Sequence, residues 1–237
     1  MRNLFVLAGL FIVVFTQQSC RVVNGNHNVV SETRSIGSFS ELSLSGFSNV
    51  YLTQGNATEF KITGESNIIN YIRVRVEGDR LIIGTKNGVN LNTHEPVNIY
   101  ITTPDIEKIS VSGAGDVISQ NKWTLDKGIE LHSSGAGKIK AELNSPDVDI
   151  RVSGAGDVIL SGETKDLKIS ISGAGKVKAE NLKSENAEVR VSGAGDANVF
   201  ASVYLDARVS GAGKINYWGN PQKVDSHESG AGDINRK

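Results

Sequence analysis

Residues 153–158 read Ser-Gly-Ala-Gly-Asp-Val, and the first four of them recur as a block seven times between residues 112 and 233. Successive blocks start 22, 19, 19, 20, 18 and 19 residues apart. A period near 20 residues predicts a solenoid, in which each repeat forms one coil that buries its apolar face against the neighbouring coils. The blocks start at Ser112, Ser134, Ser153, Ser172, Ser192, Ser210 and Ser229.

The residues on either side of a block alternate between apolar and polar. Ile150 and Val152 flank the charged Arg151 before one block, and Val158 comes two residues after it. An alternation with a period of two predicts a strand that has one buried face. Each block is therefore expected to form a corner between two strands.

Steric constraints at a corner explain why each block contains two glycines. A sharp change of strand direction requires either a positive φ or a close approach between backbones, and a residue without Cβ accommodates both at low cost. We therefore expect the Gly-Ala-Gly corners of successive coils to lie directly on one another. The corner glycines are Gly113, Gly115, Gly135, Gly137, Gly154, Gly156, Gly173, Gly175, Gly193, Gly195, Gly211, Gly213, Gly230 and Gly232.

One charged residue follows every block, and its sign alternates along the chain. Coils stacked about 4.8 Å apart would place these residues in a line about 29 Å long on the outside of the molecule. Each neighbouring pair of opposite charges contributes roughly 0.2–1 kcal/mol, so aliphatic burial decides stability while the charges favour correct alignment. We call this line the charge ladder: Asp116, Lys138, Asp157, Lys176, Asp196, Lys214 and Asp233.

The composition favours strands over helices, because 26 glycines and many Val, Ile and Thr residues accompany only 4 prolines. We predict an all-β fold: a right-handed parallel β-helix, or solenoid, with about 19–20 residues per coil. The regular part is expected over residues 111–237, ending in a polar C-terminal cap. Residues 31–110 alternate without the block and are predicted to form a less regular N-terminal β region, with a degenerate corner at Ser45-Gly46-Phe47-Ser48. A separate antiparallel domain at about 30–104 is the alternative.

The start of the chain is typical of an exported protein. Residues 1–19 carry one charge, Arg2, before an apolar run of 12 residues, and they are predicted to be a signal peptide. Cys20 is the only cysteine, so it has no partner within the chain. We expect it to be lipidated as the first residue of a lipoprotein, followed by a linker over residues 20–30; the alternative is an ordinary signal peptide that leaves a free thiol.

The charge balance bears on the class of partner. Removing residues 1–19 removes one arginine and leaves 24 basic and 26 acidic side chains. Such a balance gives no electrostatic footprint for nucleic acid or for an anionic membrane surface. We therefore expect a membrane partner only through a lipid on Cys20, in the outer membrane or elsewhere in the cell envelope, with the side of the membrane left open.

The repeat also bears on catalysis. Asp116 and Asp157 would lie two coils apart, about 9.6 Å, close to the spacing of paired carboxylates in enzymes that hydrolyse glycans. Lys138 would lie between them and lower both pKa values, which does not suit a general acid. The four histidines have no metal-type spacing and are predicted at the surface. We expect no catalytic residues, no metal and no cofactor.

Three aromatic residues are candidates for contact with a ligand. Trp123 and the pair Tyr217 and Trp218 stand beside polar residues, and an exposed aromatic side chain can stack on a sugar or fill a pocket of a protein partner. The alternative for the pair is that both residues cover the last coils as part of the cap.

Several segments together resemble a known family. They include Thr33-Arg34, Phe39, Ile82-Ile83 and the repeated Val-Ser-Gly-Ala-Gly-Asp-Val. Over about residues 30–233 the chain resembles the putative auto-transporter adhesin, head GIN domain family. The resemblance implies an exported bacterial protein with a β-helical body and brings no catalytic residues. We therefore expect a non-enzymatic, lipid-anchored adhesin or envelope scaffold with an unknown glycan or protein ligand; the alternative is a polysaccharide-binding or polysaccharide-degrading β-helix.

Overall fold

A computed structural model describes residues 21–237, which are almost entirely β-structure. The predicted signal peptide (1–19) and Cys20 lie outside the described residues. No helix within the described residues is long and apolar enough to cross a membrane. The strands are β1 (Arg21–Asn24), β2 (Val29–Thr33), β3 (Glu41–Leu44), β4 (Asn49–Gln54), β5 (Glu59–Glu65), β6 (Ile72–Glu77), β7 (Arg80–Thr85), β8 (Val89–Asn92), β9 (Asn98–Thr103), β10 (Lys108–Val111), β11 (Val117–Thr124), β12 (Ile129–Ser133), β13 (Lys138–Val152), β14 (Asp157–Ile171), β15 (Lys176–Val191), β16 (Asp196–Phe200), β17 (Tyr204–Val209), β18 (Lys214–Trp218), β19 (Lys223–Glu228) and β20 (Asp233–Arg236).

The strands stack in parallel into two long faces that meet at the corners. The ladder face is formed by the strands that follow a corner, and the arginine face by those that precede one. The ladder face runs through β9, β4, β11, the first halves of β13, β14 and β15, then β16, β18 and β20. The arginine face runs through β7, β3, β10, β12, the second halves of β13, β14 and β15, then β17 and β19.

This arrangement confirms the predicted all-β solenoid with a less regular N-terminal β region. The degenerate corner belongs to the same stack, because β3 and β4 on either side of it pair with β10 and β11 of the first regular coil. Both faces therefore continue without interruption from the N-terminal region into the repeats.

Antiparallel strands close the N-terminal end of the stack. On the ladder face β5 pairs antiparallel with β9, and β2 with β5. On the arginine face β6 pairs antiparallel with β7. The segment expected to be a linker also carries structure, since β1 forms a separate two-stranded parallel sheet with β8. A single 3-10 turn, Ile69–Tyr71, precedes β6.

The core is a column of aliphatic side chains along the inside of the tube. In β15 the inward residues fall into three groups, separated by breaks in the alternation, so the coil bends three times including the glycine corner. The bend between the second and third groups is lined by buried hydroxyl groups at Ser145, Thr164 and Ser184 in successive coils. Ser145 donates to the carbonyl oxygens of Lys127 (3.0 Å) and Asp147 (2.9 Å), which satisfies backbone acceptors inside the bend.

Candidate binding surface

The charge ladder lies in register along the ladder face. Lys138 pairs with Asp157, Asp157 with Lys176 and Lys176 with Asp196 as neighbours on adjacent strands. The series continues to Lys214 and Asp233. At the other end the backbone N–H of Lys138 donates to Oδ1 of Asp116 at 2.9 Å. Successive residues of the ladder therefore occupy equivalent positions in successive coils.

Close approach of backbones, rather than backbone conformation, requires glycine at the corners. A Cβ built on Gly154 would lie 2.6 Å from the carbonyl oxygen of Ser134, and closer still to that of Gly135. Among the corner glycines only Gly230, in the last coil, has a positive φ. The Ala155 N–H donates to the Gly135 carbonyl at 3.0 Å, so the corner packs backbone directly against backbone.

The charges of the ladder do not form ion pairs with one another. Within residues 21–237, no ion pair of 4.0 Å or less involves a ladder residue. Lys176 and Lys214 are exposed. A long exposed lysine side chain keeps its hydration and conformational freedom when it points into solvent. The ladder therefore contributes less to register than the sequence suggested, and its charges stay available to a partner.

The arginine face shows the opposite behaviour. Most ion pairs among the described residues lie on it, including Arg80–Glu41 (2.7 Å), Lys108–Glu130 (2.8 Å) and Arg151–Asp149 (2.8 Å). The other pairs on this face are Arg75–Glu77, Arg190–Glu188, Arg208–Asp206 and Lys223–Asp225, and His132 Nε2 lies 3.4 Å from Glu130. This face therefore satisfies most of its charges internally, although the exposed Lys168 of β14 takes part in none of these pairs.

The pKa shifts follow these pairs on the arginine face. The hydrogen bond from Lys108 is the main reason that the pKa of Glu130 lies below its ordinary value. Burial, and then the positive charge of Lys108, lower the pKa of His132. The bond to Asp206 raises the pKa of Arg208. The shifts of Glu130 and Arg208 reflect a partner within the chain, whereas that of His132 reflects mainly burial, so this face offers fewer free charges to another molecule.

A second outward column runs beside the ladder, two residues further along each strand. At the N-terminal end of the stack this column begins with Tyr100 and Tyr51, whose ring centres lie 5.1 Å apart in a stacked arrangement. Lys61 Nζ lies 5.2 Å from the centre of the Tyr100 ring. We call this column the tyrosine stripe: Tyr100, Tyr51, Ile118, Lys140, Ile159, Lys178, Asn198, Asn216 and Asn235. The ladder and the stripe form one outward-facing surface whose residues are half-buried or exposed.

A bulge in β11 interrupts this surface. The pairing of β11 with β13 shifts between Ile118 and Lys122. Beside the shift lies a shallow groove of about 400 Å³, lined by Gln120, Asn121 and residues of the next three coils such as Glu142. The groove is polar and open, which suits a surface contact better than an enclosed small-molecule site.

The prediction that Trp123 contacts a ligand is wrong. Trp123 is only 3% exposed and pairs with the core residue Leu143, so it cannot contact a ligand at the surface. Trp123 lies six residues after the inward-facing Val117, so the alternation of β11 itself places its side chain inward, and the two extra residues of the bulge preserve that parity. Its indole N–H has no hydrogen-bond partner in the structure.

Tyr217 and Trp218 are both half-buried near the C-terminal end. Tyr217 pairs with the core residue Val199 and packs against the hydrophobic core, while Trp218 pairs with Phe200. The backbone N–H of Lys237 donates to the Tyr217 carbonyl at 2.9 Å. This environment matches the alternative interpretation, in which the two aromatic residues cover the last coils.

A buried carboxylate in the N-terminal region had no signal in the sequence. The Glu65 side chain is fully buried, and it accepts the N–H of His27 (2.7 Å), His94 (3.0 Å) and Glu95 (3.5 Å). Burial opposes its ionisation, but these hydrogen bonds outweigh burial and hold the pKa of Glu65 below its ordinary value. The rings of His27 and His94 stack 4.0 Å apart. Glu65 thus fastens the start of the chain to the closed end of the stack.

Across residues 21–237, no group of three or more His, Cys, Asp or Glu side chains is arranged to hold a metal ion. On the ladder, lysines occupy the positions between the aspartates. The ladder face therefore presents alternating lysine and aspartate side chains beside the tyrosine and amide side chains of the stripe.

Comparison with known proteins agrees with this architecture. The model of the family described as putative auto-transporter adhesin, head GIN domain, matches residues 38–221. The chain belongs to this family. The match confirms the resemblance found in the sequence, and it places both the N-terminal β region and most of the solenoid within the head GIN domain. Among curated proteins, none matches the chain.

Solved structures of similar shape include proteins of Bacteroides fragilis and Parabacteroides distasonis. A putative adhesin from Bacteroides fragilis has a TM-score of 0.86 and 26% identity, covering 91% of this head GIN domain protein and 100% of that chain. A putative adhesin from Parabacteroides distasonis has a TM-score of 0.77, 19% identity and coverages of 91% and 100%. A putative lipid binding protein from the same species has a TM-score of 0.72, 21% identity and coverages of 92% and 100%; at such identities the likeness concerns the fold.

Proposed function

We propose that this protein is a non-enzymatic, lipid-anchored adhesin of the cell envelope, and that its ladder face is the surface that binds. The observation that carries the proposal is the contrast between the two faces. The arginine face satisfies most of its charges within the chain, whereas the ladder face leaves alternating lysines and aspartates without ion pairs. Family membership supports adhesion as the activity.

The rigidity of the solenoid suits this role. Parallel pairing holds equivalent side chains at a fixed spacing of about 4.8 Å, so the surface is ordered before a partner arrives. The ordered backbone therefore loses little conformational entropy on binding, and the entropy cost falls on the exposed lysine side chains. Exposed ion pairs with a partner are individually weak, so we expect strength to come from many copies on one cell.

Lipid anchoring is the second part of the proposal. Cys20 is the only cysteine in the chain and stands directly after the apolar export signal. A single acyl chain gives weak membrane binding, and stable anchoring takes more than one chain. Labelling of growing cells with a fatty-acid analogue should mark the wild-type protein and not the Cys20→Ser variant. Equal labelling of both would contradict the assignment of Cys20.

Adhesion is tested with the mature protein on arrays of glycans and extracellular-matrix proteins. We expect binding that decreases with salt and is lost when Lys138, Lys176 and Lys214 are changed together to Gln. A matched control neutralises Arg151, Arg190 and Arg208 on the arginine face and should bind as the wild type does. Cleavage of an arrayed glycan that stops in the Asp157→Asn variant would instead show an enzyme.

A further inference from the structure

We propose that the partner of the ladder face is a second copy of this chain, bound antiparallel. This inference deepens the proposed function, because it names the occupant of the same surface. It rests on the pattern of charges on the ladder, on their lack of ion pairs within the chain, and on the position of the chain start at one end of the stack.

The charge pattern is complementary to itself in one antiparallel register. The position before the first aspartate is Asn49, because Val50 and Val117 are paired neighbours and the Val50 N–H donates to the Asp116 carbonyl at 2.7 Å. Eight positions along the ladder column therefore read amide, then acid and base in strict alternation. They are Asn49, Asp116, Lys138, Asp157, Lys176, Asp196, Lys214 and Asp233.

A two-fold axis between Asp157 and Lys176, lying across the ladder, brings this column against its own reverse. Every aspartate of one copy then faces a lysine of the other, except that Asp233 faces the amide of Asn49. The pairs are Asn49 with Asp233, Asp116 with Lys214, Lys138 with Asp196 and Asp157 with Lys176, each formed twice by symmetry. Like charges never face one another in this register.

Other arrangements of two ladders are less favourable. A parallel pair in register places aspartate on aspartate and lysine on lysine, and like charges in direct opposition are destabilising. A shift of the antiparallel pair by one coil does the same. A shift by two coils toward Asp233 keeps six charge pairs but leaves Asp116 and Asn49 of each copy facing no residue, and a shift by two coils the other way keeps only four charge pairs. The alternation therefore selects the antiparallel direction and excludes a shift by one coil, while the contact of Asp233 with Asn49 favours the register described above.

The neighbouring column tolerates the same register. The axis places Ile118 opposite Asn216, Lys140 opposite Asn198 and Ile159 opposite Lys178, so no two stripe lysines meet. At the rim the exposed corner residues are alanine and serine, such as Ala155 and Ser153, which leave room for close approach. Both outward columns of the ladder face are thus compatible with the pair.

The interface is small. Eight positions span seven steps, about 34 Å, and two columns are about 10 Å wide, so each copy contributes a few hundred Å². A standard interface contributes about 800 Å² per partner, and smaller ones are transient. We therefore expect weak association of single molecules, strongly reduced by salt, and stronger association between surfaces that carry many copies.

The direction of the pair suits contact between two cells. The chain start lies at the closed end of the stack, where β1 pairs with β8 and Glu65 binds the backbone of His27. An antiparallel pair places its two chain starts at opposite ends. If Cys20 carries the lipid, as proposed above, the two anchors point to opposite membranes, and the pair joins neighbouring cells.

The test uses the mature chain with Cys20→Ser and measures association by sedimentation velocity over a range of protein and salt concentrations. We expect wild-type dimers at low salt that dissociate at high salt. One variant changes Lys138, Lys176 and Lys214 to Gln, and another changes Asp116, Asp157, Asp196 and Asp233 to Asn. Each variant alone should remain monomeric, while an equal mixture should form heterodimers through three of the six charge pairs.

A control variant of the arginine face and a crosslinking experiment complete the test. Neutralising Arg151, Arg190 and Arg208 should leave self-association unchanged. In a buffer of reduced and oxidised glutathione, which supplies the disulfide for exchange, a mixture of Asp157→Cys and Lys176→Cys chains should form crosslinked heterodimers rapidly, and a mixture of Asp157→Cys and Lys214→Cys chains should form none. A wild type that is monomeric throughout, self-association of the Gln variant equal to wild type, or equal crosslinking in both mixtures would overturn the proposal.

Failure of this inference is distinguishable from failure of the proposed function. Beads that carry the wild-type protein should aggregate with one another in low salt and disperse when the Gln variant is used. Beads that bind an arrayed glycan or matrix protein through the ladder face, yet do not bind one another, would contradict pairing and leave adhesion standing. Beads that bind nothing would contradict both.

Discussion

Substitution of a corner glycine by alanine tests the packing of the coils most sharply. A Cβ on Gly154 would lie 2.6 Å from the Ser134 carbonyl oxygen, and real Cβ contacts below 3.0 Å are essentially unknown. Because the obstacle is backbone on the adjacent coil, the two coils must separate locally. That separation weakens the bond from the Ala155 N–H to the Gly135 carbonyl, now 3.0 Å, and loosens the aliphatic column beneath it.

The magnitude follows from these two losses. Overpacking costs about 1–3 kcal/mol, and a weakened hydrogen bond adds about 0.5–1.5 kcal/mol, so Gly154→Ala should destabilise the protein by roughly 2–4 kcal/mol. For a protein of this size that corresponds to a decrease of about 4–16 °C in Tm. Urea unfolding followed by circular dichroism gives the free energy, and calorimetry gives Tm.

Gly37 provides the matched control. No atom lies within 4 Å of a Cβ built there, and its φ is outside the left-handed region. Gly37→Ala should therefore leave stability unchanged or raise it by a few tenths of a kcal/mol. If Gly154→Ala and Gly37→Ala unfolded at the same urea concentration, the direct stacking of corner backbones would be refuted.

Three further predictions follow from individual side chains. Lys176→Ala should leave the urea midpoint unchanged, because Lys176 is exposed and takes part in none of the ion pairs of the described residues; a clear decrease would mean that the ladder charges hold the coils together. Trp123→Ala should cost about 3–5 kcal/mol because the side chain is 3% exposed, and acrylamide should quench the fluorescence of Trp218 in a Trp123→Phe protein more than that of Trp123 in a Trp218→Phe protein. Glu65 has a folded-state pKa below its ordinary 4.5, so its stabilising contribution is present above pH 4.5 and is lost as pH falls through the lowered value. Glu65→Gln should remove this acid-dependent part of the unfolding free energy, and an unchanged pH profile of the variant would contradict the role assigned to the carboxylate.

The repeats were predictable because each feature recurs at a fixed offset from the glycine corner. Val152, Ile171 and Val191 precede successive blocks, and the structure places all three in the core. The line of charges followed from the same offset, and its register required no knowledge of the loops between the coils. Local sequence was sufficient wherever one coil repeats the previous one.

Features that depend on a departure from the repeat were not predictable. The 22-residue spacing of the first two blocks shows that this coil is longer, but nothing in the sequence marks where the bulge of β11 lies. Trp123, six residues after the inward-facing Val117, could have been assigned to the core from the alternation alone. The Glu65 site joins backbone groups 29 and 38 residues away, in a region without a repeat. The ion pairs of the arginine face did leave a signal, since an acidic residue stands two positions before Arg151, Arg190 and Arg208.

The central claim is that the corner residues form one straight line along the solenoid, one coil per step. Spin labels on Asp116→Cys and Asp233→Cys, in a chain with Cys20→Ser, measure that line by pulsed electron paramagnetic resonance. The six steps between these positions predict a backbone separation of about 29 Å, and labels at residues 138 and 214 should give about 19 Å for four steps. Distances that do not increase in proportion to the number of coils would contradict the stacking on which the fold and the binding surface both depend.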